Sequence, residues 1–128
     1  VGTLDDLLPK VDVLSLHCPG GAANRHLIGA AALGRMKPDA ILVNTARGEV
    51  VDEGALAEAL AAGQIAAAGL DVYEAEPRVT PALMGMENVV LLPHLGSATH
   101  ETRAAMGHRV VDNLDAFFAG KNPPDRVV

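Results

Sequence analysis

Short apolar runs alternate along this chain with segments of helical periodicity, and that alternation predicts parallel α/β layering. Residues 3–10 read as a short helix, with Thr3 as N-cap and Asp5 and Asp6 at its positive end. Val11-Asp12-Val13-Leu14-Ser15-Leu16 reads as a strand that stops at His17-Cys18-Pro19. A loop through Gly20, Gly21 and Asn24 leads to a helix over residues 30–36. Ala40-Ile41-Leu42-Val43-Asn44 is almost wholly apolar, the pattern of a strand covered on both faces. Residues 45–51 then form a loop, and Asp52 caps a helix that runs to about Ala62 and ends at Gly63. On this helix Ala55, Leu56, Ala59 and Leu60 share one face.

A third strand is expected over residues 66–72, followed by an irregular stretch to Asn88 that contains Pro77 and Pro81. Val89-Val90-Leu91-Leu92 forms the fourth strand, stopped by Pro93. The last helix spans residues 99–119, with Met106, Val110, Leu114 and Phe117 as its buried stripe and Val111 and Phe118 widening it. Gly120 closes it, and Pro123-Pro124 prevents it from resuming. No internal repeat or low-complexity segment interrupts the series.

Composition narrows the function classes. The chain has 128 residues, 49% hydrophobic and only 2% aromatic, so Ala, Val, Leu and Gly carry the packing. Few aromatics speak against base stacking and sugar binding. The formal charge is -6, without a basic run, so neither a nucleic-acid nor an anionic-membrane surface is indicated. No stretch approaches the length of a membrane span, and the first residues lack a signal-peptide layout and an initiator Met, which suggests a fragment or processed chain. With the single Cys18 no intrachain disulfide forms, and a reducing compartment, the cytoplasm, is the expected setting.

In an open parallel sheet, ligands sit beyond the carboxyl ends of the strands. The four strand ends deliver His17-Cys18-Pro19, Asn44-Thr45-Ala46-Arg47-Gly48, Asp71-Val72-Tyr73 and Pro93-His94-Leu95-Gly96-Ser97 to one edge. Arg47 has the planar fork that clamps a carboxylate through two parallel hydrogen bonds; taken alone it reads more readily as a surface arginine or one paired with Glu49 or Asp52. His94 has the group suited to moving a proton near neutral pH, yet a structural histidine fits the local sequence as well. Glu76, before Pro77, is either a solvated loop acid or the carboxylate that orients His94 and favours its charged form. Asp71 ends a strand and needs an amide donor from a ligand or the backbone. Cys18 reads as a packed or ligand-adjacent thiol. His17, His26, His100 and His108 show no i,i+4 pairing, so no metal site is expected.

The order of these segments carries more than any one of them. Asn44-Thr45-Ala46-Arg47-Gly48, then Gly69-Leu70-Asp71-Val72-Tyr73 with Glu76-Pro77, then Pro93-His94-Leu95-Gly96-Ser97-Ala98-Thr99, resembles the D-isomer-specific 2-hydroxyacid dehydrogenase family. The resemblance covers essentially the whole chain, including Met36-Lys37-Pro38 and Val51-Asp52-Glu53-Gly54-Ala55-Leu56. Gly96-Ser97-Ala98-Thr99 with Thr102-Arg103 looks most like the glyoxylate/hydroxypyruvate reductase branch.

The resemblance implies an α/β fold: residues 1–98 as the later half of a Rossmann-like, parallel-sheet NAD(P)-binding domain. Residues 99–128 would be a long helix and tail returning towards a substrate domain. It implies reduction of a small 2-keto acid to the D-2-hydroxy acid with NADH or NADPH. Arg47 would hold the substrate carboxylate, His94 would give the proton, and Glu76 would keep His94 charged. Cofactor contacts would come from Pro19, Asn24, Thr45, Ala46, Arg47, Asp71, His94, Gly96 and Ser97.

Gly20-Gly21 departs from the family's usual Leu-Thr, and Asn24 stands where Thr is common, so backbone or Asn24 is expected to replace a hydroxyl contact. No Gly-x-Gly-x-x-Gly pyrophosphate seat occurs, so the fragment alone is expected to be inactive, and the choice between NAD and NADP stays open. The full-length protein is expected to be a homodimer. Phosphoglycerate or another D-2-hydroxy acid as substrate, or a non-catalytic cofactor-sensing corepressor-like module, are the alternatives.

Overall fold

The computed structural model describes residues 2–127. They fall into two compact units, the first ending at His94 and the second beginning at Leu95.

In the first unit, α1 (Leu4–Leu7) is shorter than the sequence suggests. Thr3 and Asp6 cap it reciprocally, and Leu8 makes the last helical bond to Leu4 before Pro9, which has no N–H to continue. Next come β1 (Val13–Leu16), α2 (Ala30–Leu33), β2 (Ile41–Asn44), α3 (Glu53–Ala61), β3 (Ala67–Leu70) and β4 (Val89–Leu91). Two 3-10 turns lie at Gly48–Val50 and Pro81–Leu83. The four strands form one parallel sheet in the order β1-β2-β3-β4. Each element thus falls where its apolar period places it, trimmed by one to three residues at its ends.

The core lies on one side of the sheet. Leu14, Leu16, Leu42, Ala68 and Leu70 meet Leu33 of α2, Leu56 and Leu60 of α3, and Ile28, Val50 and Ile65 from the connections. The amphipathic face expected on α3 is buried, and Asp52 caps it by accepting from the Ala55 N–H. The expectation that both sheet faces are covered is corrected. Burial alternates along β1 to β3, and Val13, Ile41 and Val90 on the opposite face are exposed. An apolar run in a strand records the capacity of a face to be covered, and the described residues supply a cover for one face.

The second unit is α4 (His100–Phe118) and its tail. Thr99 caps the helix through the Thr102 N–H, and Gly120, at φ 67°, takes the left-handed turn that ends it. The tail folds back on the helix, with Asp125 accepting both a guanidinium pair from Arg109 and the Asn113 amide. The stripe read as buried is not buried. Met106, Val110, Val111, Leu114, Phe117 and Phe118 are at least 50% exposed, and no residue of α4 is buried. Periodicity creates the stripe, but burial needs a partner surface, and the short tail of its own unit does not provide one.

Candidate active site

Parallel strands point the same way, so the ends of β1, β2, β3 and β4 open onto one edge of the first unit. At the end of β2, Asn44 is buried and its side chain shapes the turn that follows. Its Oδ1 accepts from the Ala46 N–H at 3.1 Å and its Nδ2 donates to the Arg47 carbonyl at 2.9 Å. Gly48 comes next, and a Cβ there would overlap the Tyr73 carbonyl. Only a glycine lets the Arg47 turn lie directly on the backbone that follows β3.

Arg47 is exposed and points a guanidinium nitrogen at the Ala46 carbonyl, 2.6 Å away. The surface ion pairs with Glu49 or Asp52 do not form. Glu49 accepts from the Gly21 N–H at 2.5 Å, and Asp52 caps α3. The arginine therefore brings a positive charge to the strand ends that no described carboxylate neutralises in an ion pair.

Glu76 and His94 meet. Glu76 Oε2 lies 2.9 Å from His94 Nδ1, and Glu76 Oε1 accepts from the Tyr73 N–H at 3.1 Å. The His94 hydrogen bond, then the Tyr73 amide, hold the Glu76 carboxyl below its ordinary value of 4.5; slight burial opposes them, and the charges of His94 and Arg47 assist. Ionised Glu76 accepts only, so Nδ1 carries a proton and Nε2 is the nitrogen left facing outward. His94 adopts a left-handed backbone, φ 55°, a conformation costly for a residue with a side chain and concentrated at functional sites. The imidazole side chain is half exposed, at 50%.

Tyr73 ties the two strand ends together. Its hydroxyl donates to the Leu92 carbonyl at 2.7 Å and lies 3.3 Å from that of Leu70. Burial, then the nearby Asp71 charge, push the phenol up, so it stays a donor. An apolar pocket of about 300 Å³ is lined by the Glu76–His94 pair together with Tyr73, Pro77, Val79, Leu91 and Pro93.

The other residues singled out by sequence divide by location. His17, Cys18, Pro19, Thr45, Ala46 and Arg47 line a shallow groove of about 450 Å³ at the ends of β1 and β2. The Asn24 amide donates to the Pro19 carbonyl at 2.8 Å and closes the loop. A Cβ at Gly20 would meet the end of the Glu49 side chain, which would have to shift. Asp71 is buried at the end of β3, its N–H donating to the Asn44 carbonyl at 3.0 Å. Gly96 and Ser97 are exposed and belong to the second unit, ahead of α4. Among the described residues no group of three or more His, Cys, Asp or Glu side chains is arranged to hold a metal ion.

Sequence reading passed over Asn44, Glu53, Tyr73 and Glu74 as site residues. A polar residue ending an apolar strand was a usable signal for Asn44. The others show their roles only through partners distant in the chain.

A parallel α/β sheet with an arginine, a carboxylate–histidine pair and a buried aspartate at its carboxyl edge belongs to the open α/β class that binds ligands beyond its strand ends. The family model "D-isomer specific 2-hydroxyacid dehydrogenase, NAD binding domain" matches residues 1–96, and the chain belongs to that family. It is 51% identical over 123 residues to a glyoxylate reductase of Thermococcus litoralis, covering 96% of this chain and 37% of that protein. It is 54% identical over 119 residues to a glyoxylate/hydroxypyruvate reductase B of Pectobacterium atrosepticum, covering 92% of this chain and 37% of that one. Among solved structures it resembles an NADPH-dependent glyoxylate/hydroxypyruvate reductase from Sinorhizobium meliloti, in complex with NADP and malonate. The TM-score is 0.87 at 47% identity, covering 91% of this chain and 36% of that one. The chain thus spans little more than a third of the length of these curated relatives. No helix among the described residues is long and apolar enough to cross a membrane.

Proposed function

We propose that the full-length protein reduces a small 2-keto acid of the glyoxylate or hydroxypyruvate type to the D-2-hydroxy acid, using NADH or NADPH. The observation that carries this reading is the 2.9 Å contact between Glu76 and His94 at the strand edge that also bears Arg47. A binding module has no need of a histidine poised to give a proton. The relatives named above as glyoxylate and hydroxypyruvate reductases support the substrate class.

The residues fit the nicotinamide half of a dinucleotide. The groove of about 450 Å³ offers the Thr45 hydroxyl to ribose hydroxyls, with Pro19 and Ala46 in its wall. Asp71 is a carboxylate acceptor suited to a carboxamide N–H, with Gly96 and Ser97 as further cofactor contacts and Asn24 holding the Pro19 loop in shape. When bound, the reduced nicotinamide supplies the hydride.

In this reading Arg47 clamps the substrate carboxylate and sets positive charge beside the keto oxygen. His94, charged, donates its Nε2 proton to that oxygen as alkoxide character develops. Glu76 holds Nδ1, fixing which nitrogen faces the substrate and stabilising the imidazolium.

Residues 1–98 serve as the later half of the dinucleotide domain, and residues 99–128 as the helix and tail that return to a substrate domain. A homodimer in the cytoplasm completes the reading. The exposed apolar stripe of α4 supports assembly with further protein surface, and the lone Cys18 fits a reducing setting.

The test is the loss of dihydronicotinamide absorbance when the full-length protein meets a panel of 2-keto acids with each cofactor. Turnover of glyoxylate or hydroxypyruvate is the expected result. Turnover confined to a phosphorylated substrate would reassign the substrate, and none with any 2-keto acid would overturn the reading.

A further inference from the structure

Glu53, the first residue of α3, is a carboxylate only 4% exposed. Such a group is tolerated only when several donors replace its lost water. Glu53 Oε1 accepts from the Glu74 N–H at 2.6 Å, and Oε2 accepts from the Thr80 N–H at 3.3 Å and from the Thr80 hydroxyl. All three donors belong to one segment, residues 74–80, and that segment carries Glu76.

The grip is reciprocal. The Glu53 N–H, a first-turn amide without a helical partner, donates to Glu74 Oε1 at 3.1 Å. Two acids therefore stand side by side because each accepts the other's backbone N–H, and the positive end of α3 favours both. Glu74 Oε2 is held in turn by His26 Nε2 at 2.8 Å and by Arg25 at 3.3 Å. Between the gripped ends, the Arg78 N–H donates to the Ala75 carbonyl at 3.0 Å and closes a turn around Glu76. Glu76 is itself exposed, so little packing holds it in place.

We propose that Glu53 is a positioning residue for the proton transfer: its buried carboxylate grips both ends of residues 74–80 and thereby holds Glu76 against His94. The inference rests on the proton-donor role given above to His94. A glutamine at this position has one acceptor oxygen, and its amide would face a donor, so Glu53→Gln releases one end of the segment.

The test uses the full-length protein with Glu53→Gln, Glu76→Gln and the double variant. Two readouts are taken: the pH profile of kcat/KM, and the ring signals of His94 in protein carrying ¹⁵N-labelled histidine. The expected result is a kcat lowered about tenfold in Glu53→Gln, the loss of one charge-assisted hydrogen bond. The alkaline limb should move in the same direction as in Glu76→Gln, and the His94 signals should shift towards those of that variant. In the double variant Glu53→Gln should add no further shift. A Glu53→Gln protein with the parent's limb and His94 signals would overturn the proposal, as would shifts that add in full to those of Glu76→Gln. If the parent reduces no keto acid, the functional reading fails while the His94 signals still decide the positioning role. Should Glu53→Gln not fold, Thr80→Val removes the hydroxyl arm and is judged by the same outcomes.

Discussion

Gly48 lies directly on the backbone of Tyr73, with no room for a Cβ between them. This contact joins the turn that carries Arg47 to the segment that leads to Glu76. Gly48→Ala must push the two apart, and overpacking of this kind costs about 1–3 kcal/mol. A lowered urea midpoint together with reduced kcat/KM is expected. Unchanged values of both would show that the two turns move independently.

Glu76 sets a pH dependence whose sign follows from its environment. Its carboxyl is held below 4.5 by the His94 hydrogen bond and then by the Tyr73 N–H. A depressed carboxyl contributes stability that is present above its ordinary value and lost as pH falls through the folded value. The Glu76 side chain is 37% exposed, so solvent screening keeps this contribution small. Glu76→Gln should therefore flatten the decline in thermal stability below about pH 4.5. In the activity assay it should lower kcat/KM, because His94 Nδ1 loses the carboxylate that fixes which nitrogen faces outward. Equal kcat/KM in parent and variant would remove Glu76 from the mechanism.

Among the described residues, Arg47 has no carboxylate partner in an ion pair. Arg47→Lys keeps the charge and loses the fork, so kcat/KM should fall about 10- to 100-fold, the range of one charged hydrogen bond. Most of the loss should appear as weaker substrate binding. Full activity in the lysine variant would show that bidentate geometry is not needed.

Tyr73 fastens the end of β4 through its hydroxyl at the Leu92 carbonyl. Tyr73→Phe leaves the ring in place and deletes this bond, with an expected loss of about 1 kcal/mol in unfolding free energy. His94 follows two residues later, so its backbone amide should exchange faster in the variant. Parent-like exchange there would assign the hydroxyl no part in holding the strand end.

The chain's own pattern goes far towards this description. Alternating apolar runs and capped helices place all four strands and the long helices to within a few residues, because hydrogen-bonding period and capping are local properties. The succession of Arg47, Glu76 and His94 at strand ends is legible for the same reason: parallel topology sends every strand's carboxyl end to one edge.

What the tertiary structure alone decided is which surfaces and charges find partners. Val13, Ile41 and Phe117 look like core in sequence and are exposed, since hydrophobicity states a tendency and a partner surface must realise it. Glu53 looks like an ordinary first-turn acid, yet it is buried, because its donors at residues 74 and 80 lie 21 and 27 positions away. Long-range pairing depends on where the chain returns in space, and no local pattern encodes that return.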